Sequence, residues 1–567
     1  MTICWDVRSL RTWPVKSIGD PRPRDAVSCS SLTEAFQRWA AEPEIEYRSV
    51  LYLNPTATMK QASVLVVGAG PTGLTLACGL LQQGVAIVIV DQAVGPATTS
   101  RALGLQIRGA EVLDRVGALA DIPDRAVKAL NAHIDADGAA LTLPIGRGSA
   151  DGRQTMFISQ AEIEAELRRR LTELGGHVEW ATELVDLWDD GHGVVATVRN
   201  SIGNHAVRSD WLVGTDGANS ATRRLSGISF PGTPLYDRML LADVQVDWGL
   251  DRDGTSVWIR DGELFAVIPL PGSDDWRLFA SVPEDFPEQA STDEVIAAFA
   301  PKLRRFTGYD ATALQGVGWT SVFRINRRLA DTYRKGRIFL AGDAAHIHSP
   351  LGGQGMNTGI GDAENLAWKL ALVVGGVVSG LAADRLLDSY QAERRPHAED
   401  VLKSTTGALD AIVGRGLRAR LARALFFPLT RLGPVQRRMW YGMSQLGVSY
   451  RGGPLAPQSR LAVRRGLRPG DRVPDIACQT NRGERTRLYV ELRGPWAVLA
   501  ADSATAENLA ISAQQLGIPV VALGRAGGRQ SPALLIRPDG HLGWGGTRGR
   551  DMVAWLQRCI VGERPLA

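Results

Sequence analysis

The sequence predicts an α/β protein, and two kinds of pattern lead to that class. Ser63–Val67 and Val85–Val90 are short valine-rich runs typical of buried strands, and Pro71–Gln83 between them has apolar residues at helical spacing. Further along, three strand patterns over 257–282 are separated by Asp-Gly and Pro-Gly turns. The strand–helix–strand unit indicates a Rossmann-like parallel sheet, and the later strands indicate an inserted, mixed β-sheet domain.

The turn after the first strand has the spacing of a dinucleotide-binding fingerprint. Its glycines stand where a tight turn, close approach of backbone to a pyrophosphate, and close packing of helix on strand are needed. An acid ends the second strand, where it can accept hydrogen bonds from ribose hydroxyls, and the free N–H groups of the helix start favour phosphate. A glycine turn without a ligand is disfavoured, because every neighbouring element fits. The residues predicted to bind the dinucleotide here are Gly68, Gly70, Pro71, Thr72, Gly73, Asp91 and Gln92.

A second glycine-rich segment indicates which dinucleotide to expect. Gly336–Ala341 is a predicted strand, so Gly342 and Asp343 lie at its C-terminal end. A carboxylate there can hydrogen-bond a polyol, and FAD has a ribityl chain where NAD has none. The following glycines are predicted to let a flat ring lie against backbone and to open a helix over Asp362–Val374, whose N-terminus would stabilise a reduced flavin. The ring-binding residues predicted in this stretch are Pro350, Gly353, Gly355, Met356 and Asn357.

These segments resemble the class A FAD-dependent monooxygenases of the aromatic-ring and polyketide hydroxylase type. Gly342-Asp343 is similar to their ribityl-binding motif. Asp216-Gly217, continuing to Arg223, is similar to a second motif of the family, shared between FAD and the nicotinamide cofactor. The resemblance covers residues 60–397 strongly and the last hundred residues loosely.

Three further segments carry the same resemblance. The resemblance implies that Arg101 lies near the flavin phosphates and that Gln160 lies on the adenosine side of FAD. Tyr390–Pro396 looks like the end of the helix that follows the flavin domain in this family. At Asp91-Gln92 the chain departs from many relatives, which have glutamate followed by a basic residue.

The patterns and the resemblance together divide the chain into domains. The first 58 residues lack a core-forming period, and they are expected to be either an added, disordered extension or the product of an upstream start. Residues 411–452 contain eight arginines and no acid. This pattern favours solvated linker helices over a segment that binds a membrane surface or nucleic acid. The predicted domains are the extension (1–58), the FAD-binding domain (59–230 and 324–400, with 131–155 contributing strands to the substrate domain), the substrate domain (231–323), the linker (401–467) and a thioredoxin-like domain (468–567).

The resemblance implies an FAD-dependent monooxygenase that consumes NADPH or NADH and hydroxylates an aromatic, phenolic or polyketide-like substrate. The reduced flavin would add dioxygen at C4a to give a hydroperoxide, whose distal oxygen the substrate attacks. Two alternatives stay open: a related flavin enzyme doing Baeyer–Villiger or decarboxylative oxidation, because a fold does not fix the chemistry, and a flavin-bearing binding or sensor protein. The sequence selects no catalytic residue.

Length and composition set further expectations. The 567 residues are too many for one core, and a net charge of +4 gives no case for nucleic acid. No run reaches membrane-spanning length, and five scattered cysteines suit a reducing compartment. We therefore expect a cytoplasmic monomer or homodimer whose partners are an aromatic small molecule and dioxygen.

Three other groups of residues give little support for a functional site. His346 and His348 lack nearby cysteine or carboxylate ligands, so no metal is predicted. Cys478 and Cys559 are far apart in sequence, so the thioredoxin-like domain is predicted to have no redox site. Four tryptophans could equally line a pocket or belong to the core, and none is chosen as a ligand: Trp248, Trp258, Trp276 and Trp319.

Overall fold

The computed structural model describes most of the chain beyond residue 59. By its internal contacts the chain divides after Thr58, and every feature below belongs to the second unit, Met59–Ala567. The predicted N-terminal extension lies outside the described residues, as do Arg101 and Pro350. The described residues are 60–98, 102–128, 131–145, 148–149, 152–272, 274–348, 353–413, 428–430, 432–456, 466–525 and 532–562, with backbone alone for 234–237 and 405–413.

The first part of the chain forms the predicted strand–helix–strand unit and its continuation. Pro71 starts the first helix, where its missing N–H costs no helical hydrogen bond. The elements are β1 (Lys60–Val67), α1 (Pro71–Leu81), β2 (Ile87–Val90), β3 (Gly104–Leu105), α2 (Ile107–Val116), α3 (Ile122–Arg125), β4 (Asn131–Ala136), β5 (Ala139–Pro144), β6 (Met156–Phe157), α4 (Gln160–Glu173), β7 (Val178–Glu179), β8 (Glu183–Asp189), β9 (Val194–Asn200), β10 (Gly203–Gly214) and α5 (Ala221–Leu225).

The middle of the chain is mostly strand, as the alternating pattern between turn glycines predicts. A capping box at Ser291 and Glu294 starts its one long helix. The elements are β11 (Gly232–Val246), β12 (Gly254–Arg260), β13 (Glu263–Pro269), β14 (Asp275–Val282), α6 (Thr292–Thr307), β15 (Leu314–Leu329), β16 (Arg334–Lys335), β17 (Ile338–Leu340) and β18 (His346–Ile347), with 3₁₀ turns at Ala311–Ala313 and Gly342–Ala344.

Helices lead from there into a third sheet. The elements are α7 (Gly355–Val374), α8 (Gly380–Val413), α9 (Gly433–Met443), β19 (Ala477–Thr480), β20 (Arg485–Arg487), α10 (Leu488–Glu491), β21 (Trp496–Ala500), α11 (Ser503–Gln514), β22 (Val520–Arg525), β23 (Ala533–Ile536), β24 (Leu542–Gly546) and α12 (Gly549–Leu556), followed by a π turn at Gln557–Val561. Among the residues that the structure describes, no helix is both long and apolar enough to cross a bilayer.

The first sheet has β1 at its centre, with the order β16-β17-β10-β1-β2-β7 and β8 and β9 beyond β10. β1 is parallel to β2 on one side and to β10 on the other, so Val67, Val90 and Gly214 end side by side. β1 is thus the strand from which the connections run to opposite sides of the sheet, to β2 and later to β10. Ligands of open α/β sheets bind at such a switch point, beyond the carboxyl ends of the strands.

The second sheet has the order β18-β15-β11-β14-β13-β12-β4-β5. The predicted strand pair within 131–155 is β4 and β5, and β4 joins this sheet through parallel pairing with β12. α6 covers one face, where Phe299 and Leu303 pack against Phe265 and Trp276. The opposite face is apolar as well, which leaves it available to line a cavity.

The third sheet has the order β20-β19-β22-β21-β23-β24 and lies within 468–567, the predicted thioredoxin-like domain. Both faces are covered by buried apolar side chains. Cys478 and Cys559 are free thiols, and burial raises the pKa of both, that of Cys478 to about 12. Thiols with raised pKa values are poor nucleophiles.

Two helix boundaries predicted from the sequence are wrong. α7 begins at Gly355 instead of Asp362, because Gly359 belongs to the helix: a Cβ there would lie 2.3 Å from the Thr72 hydroxyl. The glycine therefore serves close helix packing and not a loop. Tyr390–Pro396 does not end a helix, since α8 continues through Pro396 to Val413. Within this stretch, hydrogen bonds from Tyr390 to Leu340 O and from Arg394 to Asp362 hold α8 against its neighbours.

Candidate active site

The glycine turn after β1 is tightly packed on one side and open on the other. A Cβ at Gly73 would lie 1.9 Å from Gly68 O, and Gly68 itself has a φ of +102° with Thr215 O close behind it. Around Gly70, by contrast, no described residue other than its chain neighbours lies within 4 Å of the Cβ position. The turn thus presents bare backbone and the N-terminus of α1 to the space beyond the strands, which is the arrangement that binds phosphate.

Asp91, at the end of β2, fastens this turn. One carboxylate oxygen accepts a hydrogen bond from Ala69 N at 2.6 Å, and the other accepts one from Ala93 N at 2.8 Å. Gln92 follows it with an exposed side chain. The acid is therefore fixed beside the turn, at the position where the fingerprint needs a ribose acceptor.

Asp216 lies beyond the neighbouring strand, and its carboxylate is used within the protein. It accepts hydrogen bonds from the Ser220 hydroxyl at 2.6 Å and from Thr222 N at 2.9 Å, which caps the start of α5. Gly217 and Ala218 line the cavity described below. The Arg223 guanidinium donates to Ala218 O and Ala344 O, both at 2.8 Å, and so ties this segment to the next.

Asp343 lies at the carboxyl end of β17, and its side chain faces the cavity. Within the described part of the chain no group hydrogen-bonds its carboxylate. Burial raises its pKa, the nearby Asp362 raises it further, and His346 lowers it. A carboxylate that is open to the cavity and has unused acceptors fits a ligand that brings hydroxyl donors.

The segment that carries Asp343 is held from behind by Asp362, which is fully buried in α7. Asp362 accepts a hydrogen bond from Gly342 N at 3.1 Å, lies 2.7 Å from His346 Nε2, and accepts one from Arg394 Nε at 2.7 Å. Burial alone would raise the pKa of Asp362, but Arg394 and His346 lower it to about 2. His346 is therefore engaged in shaping the loop. Within the described ranges, no group of three or more potential metal ligands is found.

The start of α7 closes the site on another side. The Asn357 amide donates to Gly104 O at 2.9 Å and to Gly353 O at 2.7 Å, and its oxygen accepts from Gln106 N at 2.9 Å. Gly355 and Met356 line the cavity. The first turn of a 20-residue helix thus points at the cavity and offers it positive dipole.

A single cavity of about 1830 Å³ brings most of these predicted residues together. Gln160, at the start of α4, also lines it and donates to Glu164 at 2.8 Å. The other predicted residues that the structure describes belong to the segments just described but do not line the cavity. The predicted residues lining the cavity are Gly70, Pro71, Thr72, Gln160, Asp343, Gly353, Gly355 and Met356.

The opposite wall of the cavity is the uncovered face of the second sheet. Side chains that are neighbours across the strands form an apolar row: Leu241, Phe279, Ala266, Val257 and Ile134. Sequence reasoning missed all of them, because only strand register shows which residues share a face. The alternation of residues along each strand was the only sequence pattern that could have indicated a shared apolar face.

A charged pair interrupts this face at one end. Arg277 donates to Asp243 at 2.7 and 2.8 Å in a two-pronged contact, and its guanidinium lies 5.8 Å from the Trp319 ring. Arg277 and Trp319 line the cavity. Trp248 and Trp276 instead pack edge to face in the core beneath α6, and Trp258 packs there too.

Comparison with known proteins agrees with this geometry. The family model described as FAD binding domain matches residues 61–405. A flavin-dependent monooxygenase of Mycobacteroides abscessus is 32% identical over 88% of this chain and 100% of its own length. A 6-methylpretetramide 4-monooxygenase of Streptomyces rimosus is 36% identical over 69% of this chain and 70% of its own.

Solved structures give the same result. An anhydrotetracycline hydroxylase from Streptomyces rimosus aligns with a TM-score of 0.75 at 28% identity, covering 89% of this chain and 100% of that chain. The fold and the family match define a flavoprotein that binds FAD. The chain belongs to the class A FAD-dependent aromatic monooxygenases, as the sequence resemblance implied.

Proposed function

We propose that this monooxygenase hydroxylates a large, polycyclic phenolic substrate of the polyketide kind, with NADPH or NADH as the electron donor. The observation that carries the proposal is the shared cavity: dinucleotide-binding turns form one wall and an apolar sheet face forms the other. Its volume of about 1830 Å³ exceeds that of ordinary ligand pockets, which leaves room for a flavin ring and a multi-ring substrate together.

The chain's own residues suit the parts of FAD in order. Backbone N–H groups at Gly70 and Thr72 would hold the pyrophosphate, Asp91 the ribose and Asp343 the ribityl hydroxyls. The N-terminus of α7 would stabilise negative charge on the reduced ring. When bound, the flavin would supply oxygen activation, through a C4a-hydroperoxide.

The apolar wall has two tasks in this proposal. It would bind the flat face of an aromatic substrate, and it would keep water from the reacting centre, since water favours loss of peroxide. Phe279 and Val257 stand in the middle of that wall. The balanced reaction takes one NAD(P)H, one proton, one dioxygen and the arene to NAD(P)⁺, water and the hydroxylated arene.

The direct test is a panel of polycyclic phenols assayed for stimulated NAD(P)H oxidation under ¹⁸O₂. We expect at least one phenol to accelerate NAD(P)H oxidation and to give a product that carries one ¹⁸O on a ring carbon. A ring-expanded ester would instead indicate a Baeyer–Villiger oxidation, and a decarboxylated product would indicate a decarboxylative oxidation. NAD(P)H oxidation that never responds to any phenol, with bound FAD, would contradict the enzyme role proposed for this cavity.

The related structures support the substrate class. Two of the proteins named above act, by their names, on 6-methylpretetramide and on anhydrotetracycline, and this chain covers 70% and 100% of their lengths. Gradual change of ring number within the panel would show how much of the cavity the substrate fills, because activity should fall when fewer rings contact the apolar row.

A further inference from the structure

Four charged side chains are almost completely buried where the C-terminal domain meets the helices behind the cavity. Arg537 and Asp539 belong to the turn between β23 and β24, Glu393 to α8 and Lys369 to α7, and none is more than 4% exposed. Charged side chains are rarely buried to this degree unless they are paired. We name these four residues the interdomain charge cluster.

The pairs within the cluster have close geometry. Arg537 donates through both terminal nitrogens to Glu393, at 2.7 and 2.8 Å, and Lys369 donates to Glu393 at 2.8 Å. A two-pronged contact between guanidinium and carboxylate fixes orientation as well as distance. The turn of the C-terminal domain is therefore docked on α8 in one defined arrangement.

The same cluster is hydrogen-bonded to further side chains of α7. Trp368 Nε1 donates to Asp539 at 3.1 Å, and the Asn365 amide donates to Glu393 at 2.8 Å and to Asp539 at 3.3 Å. Arg108, in α2, donates to Asp539 O at 2.7 Å. α7, whose start lines the cavity, and α2 thus share buried hydrogen bonds with a turn of another domain.

The other end of α7 reaches the cavity. Asn357 holds the backbone of Gly104 and Gln106 together, and Gly355 lines the cavity wall. An α-helix rises about 1.5 Å per residue, so Asn357 and Asn365 are about 12 Å apart on one stiff rod. A shift of α7 at Asn365 and Trp368 would therefore be transmitted to the first turn of the helix.

We propose that the turn Arg537–His541 positions the flavin-binding end of α7, so that Asp539 and Trp368 act as positioning residues for FAD from outside the site. The proposal rests on the placement of the flavin ring against residues 353–357. It gives the C-terminal domain a part in cofactor binding without any thiol chemistry.

Two tryptophans allow a matched test. Trp368 and Trp496 are both buried and pack edge to face with ring centres 5.2 Å apart. Trp368 hydrogen-bonds the turn, whereas Trp496 Nε1 has no hydrogen-bond partner within the described residues. Trp368→Phe removes one of the two hydrogen bonds from α7 to Asp539, and Trp496→Phe makes the same chemical change in the same aromatic pair without breaking a hydrogen bond.

The measurements are the FAD dissociation constant of the full-length apoprotein, the visible circular dichroism of bound flavin, and Tm. For Trp368→Phe we expect the dissociation constant to rise about fivefold, the scale of coupling through packed networks, with an altered flavin spectrum. Trp496→Phe should change the dissociation constant by less than about twofold and leave the spectrum as it is, at a comparable Tm. Asp539→Asn should act like Trp368→Phe; should it fail to fold, the tryptophan pair still decides.

Equal changes in the two tryptophan variants, or no change in Trp368→Phe, would overturn the proposal. Asp343→Ala separates this failure from a wrong placement of FAD. If Asp343→Ala weakens FAD binding and Trp368→Phe does not, the positioning role alone is lost. If neither variant changes FAD affinity, the placement of FAD and the positioning role both fall.

Discussion

The glycine turn after β1 and the open face of the second sheet line the same cavity, yet they are built by different means. In the turn, function depends on absent side chains: Gly73 packs against Gly68 O, and Gly70 leaves backbone bare. On the sheet, function depends on which side chains the register brings together, such as Phe279 beside Leu241. The comparison teaches that a cofactor site made of backbone tolerates little variation, whereas a substrate wall made of side chains can be rebuilt.

The largest expected effect lies at the charged pair that interrupts the apolar face of the sheet. Arg277→Met leaves the partly buried Asp243 without its partner, and we expect a loss near the lower end of the cost of breaking a buried pair, about 3 kcal/mol of unfolding free energy. The Arg277 side chain is 4% exposed and that of Asp243 is 18% exposed, so water can replace only part of the lost contact. Urea unfolding of the apoprotein measures this.

The control for that variant replaces both partners. Asp243→Leu combined with Arg277→Met should recover most of the lost unfolding free energy, because no charge is then left unpaired. If Arg277→Met alone unfolds like the wild type, water must reach this end of the sheet and compensate Asp243. The charged end would then not differ in stability from the rest of the apolar wall.

The next effect tests the turn. Gly73→Ala should lower the unfolding free energy of the apoprotein by about 1–3 kcal/mol, because its Cβ cannot avoid Gly68 O. Gly70→Ala is the matched control: its Cβ meets no described residue other than its chain neighbours within 4 Å, so the apoprotein should unfold as before while FAD binding weakens. Equal stability of the two variants in urea would refute the division of the turn into a packed and an open side.

These contrasts explain how much the sequence could predict. Glycine spacing reports backbone geometry directly, so the turn, the β1–α1–β2 unit and the segment at Gly342 were all predicted. Gly359 misled the prediction of α7, because a glycine in a helix and a glycine in a loop look alike until Thr72 is seen against it. The pairing of Arg537 with Glu393 joins residues 144 positions apart, and no local pattern encodes such a contact.

A third prediction concerns the carboxylate in the cavity. Asp343→Ala should weaken FAD binding by about 1–3 kcal/mol, the scale of a lost hydrogen bond to a charged group, measured by titration of the apoprotein. An unchanged affinity in a folded variant would remove Asp343 from the site.

The same residue predicts a pH dependence of stability. Because the pKa of Asp343 is raised in the folded apoprotein, chiefly by burial, folding is disfavoured as pH rises from the usual Asp pKa through the raised one. Asp343→Asn should therefore be more stable than the wild-type apoprotein at neutral pH, and the difference should vanish in acid, below the usual Asp range. Thermal unfolding across pH measures it. A difference that stays constant over this range would contradict the assignment of the shift to this carboxyl.

The smallest expected change in stability, on the sheet face, is also the most specific test of the comparison. Phe279→Leu keeps the cavity wall apolar and should cost about 1 kcal/mol or less, yet it should change which phenols stimulate NAD(P)H oxidation. Phe265→Leu is the control on the opposite face, where Phe265 is fully buried and stacks on Phe306 with ring centres 5.6 Å apart. It should cost more stability and leave the order of substrates unchanged, because its side chain never meets the cavity. If both variants change the order in which phenols stimulate NAD(P)H oxidation in the same way, a change on one face of the sheet is transmitted to the other. The side chains of the cavity wall could then not be replaced independently, and the wall would tolerate as little variation as the glycine turn.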